Sequence, residues 1–208
     1  MDPNSPAVDE SVAVPTAAEM RDLGERLAGL LHAGDLVVLS GSLGSGKTTL
    51  TQGIGAGLGV RGPVTSPTFV IARQHPSLRG GPDLVHADAY RLGSRAEVDD
   101  LDLDTDVATS VTVVEWGEGL VEDLAPSFLQ IAITADRPSV EQTSVEQTGA
   151  EQTGTEQPGA GQPGGGQPGA DQPTGEGDEL RTVRVLGWGD RWRDAAPAAR
   201  QVLAGRRA

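Results

Sequence analysis

Apolar positions fall along this chain in two rhythms, one of helical spacing and one of short runs. Together they predict an α/β protein. Residues 1–13 mix acidic residues with Pro3 and Pro6 and are expected to lack order. Thr16 is placed to N-cap a helix over residues 16–33, with Glu19 three residues on to complete a capping box. Leu23, Leu27, Leu30 and Leu31 recur at helical spacing and give that helix an apolar face. Gly34 and Asp35 then turn the chain into Val37-Val38-Leu39, a run suited to a buried strand. A second helix opens at Lys47 and stops near Gly57 and Gly59. Residues 60–68 make a polar turn. Strands are expected over 69–73 and 84–90, separated by a loop holding Pro76, Gly80, Gly81 and Pro82. Residues 96–103 are acidic and suit a short helix, and 111–115 form another apolar strand. Residues 128–134 and 182–186 alternate as strands do, and a short helix from Arg191 closes the chain.

Between those last two strands the pattern vanishes. Gln142, Gln147, Gln152, Gln157, Gln162, Gln167 and Gln172 recur every fifth residue in a background of Glu, Gly, Thr and Pro. Nothing in residues 138–179 can bury apolar surface, so this repeat is expected to be disordered. It reads as a hairpin tip lengthened by repeat growth, which is tolerated because loop-closure entropy rises slowly with length. The division is then a disordered 1–13, a folded core over 14–137, the insertion over 138–179, and 180–208 completing the core.

The chemistry centres on residues 37–53. Gly41, Gly44, Gly46, Lys47 and Thr48 satisfy the P-loop spacing G-x-x-x-x-G-K-[ST] between a strand and a helix. Glycines there allow backbone angles and close approaches that a Cβ forbids. Their N–H groups form an anion nest at a helix N-terminus, where the helix dipole adds to the attraction. Residues Gly44, Ser45, Gly46, Lys47, Thr48 and Thr49 are thus the expected phosphate cradle. Lys47 reaches the terminal phosphates and the Thr48 hydroxyl meets Mg²⁺. Lys47 is also the one lysine among 16 basic residues. A planar guanidinium does not replace an ammonium wrapped by a backbone loop, so that lysine is there for its chemistry.

Charge and cysteine content narrow the setting. The chain of 208 residues carries a net charge of −14, which opposes direct non-specific contact with nucleic acid. Eight acidic residues and no basic one fall within 138–180, and setting those eight aside leaves −6 for the folded part. No cysteine is present, which fits a reducing cytoplasm. The N-terminal stretch lacks the basic and apolar regions of a signal peptide, and no apolar run approaches a membrane span.

Hydrolysis needs acidic partners beside the P-loop, and two strands end in a carboxylate. Glu115 closes a strand of Walker B character and is aimed at Mg²⁺, directly or through water. Asp88 closes the other and suits the attacking water. The carboxyl ends of parallel strands meet at one crevice, which brings both toward the loop. Lys47, Asp88 and Glu115 are the expected catalytic residues, with Thr48 and Glu115 at the metal. His86, in an apolar strand, reads as a satisfied core histidine. Ser66 and Thr68, flanking Pro67, suit either a phosphate-sensing loop or ordinary turn chemistry. Trp116 suits either core packing or a place near the nucleotide base.

Residues 41–49, then Ser66-Pro67-Thr68-Phe69, then 86–92, then Val114-Glu115-Trp116 resemble the TsaE family (formerly YjeE). These are bacterial ATPases required for threonylcarbamoyladenosine modification of tRNA. The resemblance covers about residues 14–137 and 180–195. It implies ATP and Mg²⁺ as cofactors, with phosphates held by Gly44 to Thr49 and Mg²⁺ at Thr48 and Glu115. It also puts Thr16 beside the nucleotide, gives Asp88 an essential role and makes Ser66 to Thr68 a switch-like loop. The implied partner is the TsaB–TsaD heterodimer, reset by ATP hydrolysis between turnovers, with tRNA met only through that complex. The chain departs from the family in its Gln repeat and in Ser42, where the family usually has Asp.

Other P-loop classes fit less well. A GTPase needs a second lysine in its guanine-reading [NT]-K-x-D motif, and an ABC-type ATPase needs Leu-Ser-Gly-Gly. Neither motif occurs. A small-molecule kinase shares the P-loop and the size, but its arginine-rich lid has no counterpart among these scattered arginines. A nucleotide-gated binding module with negligible turnover is a third class. With no evident arginine finger, hydrolysis by the chain alone is expected to be slow and partner-accelerated. The expected fold is a single α/β P-loop domain, its central sheet mostly parallel, with an antiparallel C-terminal hairpin.

Overall fold

The computed structural model describes residues 5–67, 72–90, 92, 97–98, 108–135 and 180–205, all within one unit. Its strands are β1 (Val8–Val14), β2 (Leu36–Gly41), β3 (Ala72–His75), β4 (Asp83–Asp88), β5 (Ser110–Glu115), β6 (Phe128–Ala135) and β7 (Arg181–Trp188). The helices among the described residues are α1 (Ala17–Ala28), α2 (Lys47–Leu58) and α3 (Asp190–Leu203), with one 3₁₀ turn at Glu122–Leu124. The strands form a single mixed sheet in the order β1-β7-β6-β2-β5-β4-β3. β2 runs parallel to β5 and β6, and β4 runs parallel to β5. β6 and β7 form the expected antiparallel hairpin, and the edges β1 and β3 are antiparallel to their neighbours.

Residues Leu36 to Leu39 are fully buried because β2 is central and covered on both faces. Val37 and Leu39 join one apolar cluster with Leu23, Leu27, Leu50, Ile54 and Trp192 from the helices. Leu36 and Val38 face the other way, toward Val85, Ala87, Val114 and Val121. Alternate residues of one strand therefore feed two layers. The α1–α2 packing is unusually close: a Cβ at Gly53 would overlap the backbone of Arg21, and one at Gly24 the backbone of Leu50. Among the described residues no helix is long and apolar enough to cross a membrane.

Several boundaries differ from the sequence reading. Residues 8–13 are not without order but belong to edge strand β1, with Val8 and Val14 buried against β7. Two pairs pin that strand: Asp9 accepts both Nε and Nη2 of Arg184 at 2.9 Å, and Glu10 meets Arg200 at 3.1 Å. α1 stops at Ala28 rather than residue 33, because the chain tightens into i to i+3 hydrogen bonds at Gly29, Leu30 and Leu31. β4 ends at Asp88, whose Oδ1 accepts the Tyr90 N–H at 3.0 Å and turns the chain. Of the expected strand over 69–73 only the last two residues are described, and they open β3, which runs on to His75. Of the expected helix over 96–103 only the helical pair Glu97 and Val98 is described, and the repeat over 138–179 lies outside the described residues.

Candidate functional site

The carboxyl ends of parallel β2, β4, β5 and β6 share one edge of the sheet, and the glycine loop leaves from the middle of it. Register sets the neighbours: Leu39 of β2 and Asp88 of β4 both pair with Glu115 of β5, and Gly41 pairs with Ile133 of β6. Gly41 has φ +142°, and a Cβ there would overlap the Ile133 carbonyl. Gly44 and Gly46 have φ +76° and +108°, and Gly46 is the left-handed N-cap from which α2 starts at Lys47. Only glycine adopts such angles without strain. Ser45 is buried, and its Oγ has no hydrogen-bond partner among the described residues.

Lys47 is buried, its Nζ donating to the carbonyls of Gly41 at 2.8 Å and Ser42 at 3.0 Å. The same ammonium lies over the Trp116 ring. Burial holds its pKa below the ordinary lysine value, against the opposing pull of the Glu115 and Asp88 carboxylates. Beside it, Thr48 Oγ1 donates to Glu115 Oε1 at 2.9 Å. His86 Nε2 reaches that same oxygen at 2.9 Å. Glu115 and His86 are both buried. Trp116 is the one described non-glycine residue at positive φ, +62°, and Tyr90 packs on it with ring centres 5.2 Å apart.

Of the residues singled out by sequence, Lys47, Thr48, Asp88 and Glu115 meet at this edge. Gly44, Ser45, Gly46 and Thr49 lie in the loop and the first turn of α2. Thr16 N-caps α1, accepting the Glu19 N–H at 3.1 Å and donating to Glu19 Oε2 at 3.0 Å. One turn on, Met20 packs beside Gly46, so α1 brings its N-terminus toward the loop. Ser66 is exposed between α2 and β3, and Thr68 lies outside the described residues. His86 is the satisfied core histidine that the sequence suggests, and its partner is Glu115. The signal was its place two residues before Asp88, which puts both on one face of β4. Arg181 was missed: it is buried, and its side chain packs beside Gly46.

The arrangement suits the phosphates of a nucleotide. A loop of glycines at positive φ turns backbone N–H groups toward an anion, and the lysine beside it carries the matching charge. Among the described residues no group of three or more His, Asp or Glu side chains is placed to hold a metal alone. Mg²⁺ needs none when phosphates and waters fill most of its shell, and the Thr48–Glu115 pair could supply the one or two protein oxygens it would then take.

A family model described as threonylcarbamoyl adenosine biosynthesis protein TsaE matches residues 14–144. A Streptomyces coelicolor protein named tRNA threonylcarbamoyladenosine biosynthesis protein TsaE is 52% identical over 187 residues, covering 89% of this chain and all of that one. A Bacillus subtilis protein of the same name is 38% identical over 116 residues, covering 55% of this chain and 71% of its own. In fold, the chain is similar to the crystal structure of Bacillus subtilis YdiB, with a TM-score of 0.56 at 22% identity and 95% coverage of both chains. With the family model spanning more than half of its length and a relative matched from end to end, the chain belongs to the TsaE family.

Proposed function

We propose that this chain is a Mg²⁺-dependent ATPase that serves threonylcarbamoyladenosine formation in tRNA by cycling the TsaB–TsaD heterodimer between turnovers. The observation that carries the reading is the meeting of Lys47, Thr48 and Glu115 at the mouth of the glycine loop. The names of its relatives support the pathway. Phosphate oxygens are charged acceptors and outcompete the neutral carbonyls that hold Lys47, so the ammonium exchanges from Gly41 and Ser42 to the nucleotide. Backbone N–H groups from Gly44 to Thr49 take the remaining phosphate oxygens. Thr48 donates its hydrogen bond to Glu115 and so keeps its oxygen lone pairs for the cation. Thr48 and Glu115 would hold Mg²⁺, which when bound would supply charge neutralisation at the phosphate oxygens. Asp88, beside Glu115, orients the attacking water. A net charge of −14 leaves tRNA contact to the partner complex. The chain works in the cytoplasm, with residues 8–137 and 180–208 as the ATPase domain and 138–179 a repeat spliced into its last hairpin.

Phosphate release by the purified chain, alone and with TsaB–TsaD, tests this against Lys47→Ala. Slow Mg²⁺-dependent hydrolysis is expected, accelerated by the heterodimer and lost in the variant. Failure to bind ATP with Mg²⁺, brisk turnover indifferent to the heterodimer, or transfer of phosphate to a small acceptor overturns the reading.

A further inference from the structure

We propose that His86 is a positioning residue for Glu115, holding Oε1 and leaving Oε2 as the oxygen offered to a cation. The inference rests on the nucleotide-site reading above and extends it to a residue outside the loop.

Two donors converge on one atom. Thr48 Oγ1 and His86 Nε2 each lie 2.9 Å from Glu115 Oε1, and among the described residues no hydrogen bond reaches Oε2. A carboxylate held by one oxygen from two directions cannot swing, so its other oxygen has a fixed place. His86 sits on β4 opposite Val113, two residues behind the Asp88–Glu115 pair, and so grips the carboxylate from inside the sheet. The ring is fully buried, and its Nδ1 has no hydrogen-bond partner among the described residues. A leucine would fill the same space without desolvating two nitrogens, so packing does not account for an imidazole there. The bond to Glu115 does. That bond requires a proton on Nε2, because a carboxylate accepts and does not donate.

Two measurements on the full chain decide the matter. Nitrogen-15 NMR of the histidine rings, without nucleotide, is expected to show a protonated Nε2 for His86. Calorimetric titration with a non-hydrolysable ATP analogue, with and without Mg²⁺, is then compared across native protein, His86→Gln and His86→Leu. The glutamine amide puts a donor where Nε2 stood, and the leucine does not. Native and Gln chains should share the gain in affinity that Mg²⁺ confers. The Leu chain should lose about tenfold or more of it, with Mg²⁺-free affinity unchanged. A Leu chain with the full Mg²⁺ gain, a Gln chain without it, or a His86 ring protonated at Nδ1 with Nε2 bare overturns the assignment. If His86→Leu does not fold, the Gln chain and the tautomer decide. Absence of any Mg²⁺-dependent binding by the native chain removes the nucleotide-site reading itself, whereas native binding with an unaffected Leu variant removes His86 alone.

Discussion

Lys47 and Trp116 face each other across the mouth of the loop, with the ammonium 3.8 Å from the centre of the indole ring. The tryptophan is held there by a backbone that an L residue rarely adopts, φ +62°, and by its N–H donating to the Leu39 carbonyl at 2.9 Å. A left-handed tryptophan stores of order 1 kcal/mol or more. The surrounding strands hold it against that strain, and the ring is thereby delivered to the lysine. Two carbonyls and one aromatic face then share the ammonium.

A double-mutant cycle reads the strength of that pairing. Lys47→Met and Trp116→Leu, singly and together, should give a coupling of about 1 kcal/mol in chemical denaturation, since a largely desolvated cation over an indole is worth about 0.5–2 kcal/mol. A coupling near zero would mean that the two groups are merely adjacent.

Thr48→Val removes one hydroxyl and keeps the shape. It deletes the donor to Glu115 Oε1 without opening a cavity. The Mg²⁺-dependent rate of phosphate release should fall roughly 10–100-fold, the range typical for disturbing a metal ligand's support or more. Thr48→Ser should restore it. Thermal denaturation should show both variants folded, and full activity in the valine variant would remove Thr48 from the metal site.

Gly53→Ala pits two effects against each other. Alanine favours a helix interior over glycine by about 1 kcal/mol. At this position, though, its methyl group would overlap the Arg21 backbone, which is not the yielding end of a flexible side chain. Forcing α1 and α2 apart costs more, about 1–3 kcal/mol for an overpacked site. Net destabilisation by about 1–2 kcal/mol is expected from urea titration. A gain in stability would show that the two helices separate freely.

The loop and its strand were legible in the sequence because their signals are local: glycine spacing, one lysine and an unbroken apolar run within a few residues. The parallel centre followed from the same runs, and the β6–β7 hairpin from two alternating strands without a helix between them. β1 was not legible. An edge strand needs apolar residues on one face only, and Glu10 interrupts Val8, Val12 and Val14 among acidic neighbours. His86 was legible as a satisfied core residue, but its partner was not. Its partner Glu115 lies 29 residues away on another strand, and strand pairing alone brings them together. Arg181 reaches Gly46 only because β7 folds back beside β6, a relation that no window of sequence contains.

His75 provides a test of the fold in acid. It is buried at the end of β3, and its Nε2 has no hydrogen-bond partner among the described residues. Burial pushes its pKa below the ordinary 6.5, opposed by a hydrogen bond to the Arg61 backbone and assisted by the nearby Arg73 charge. The unfolded chain therefore binds this proton more readily than the folded one. Its stabilising contribution is whole above 6.5 and is lost as pH falls from there through the depressed folded value. The slope for one group is at most about 1.4 kcal/mol per pH unit. His75→Asn has no proton to gain and can keep a hydrogen bond to Arg61. As pH falls from about 7.5 to about 5, the native chain should lose more stability than this variant in urea titrations. Every carboxylate titrates in both proteins and cancels in the comparison. Parallel stability curves would show that His75 is protonated as easily inside the fold as outside it.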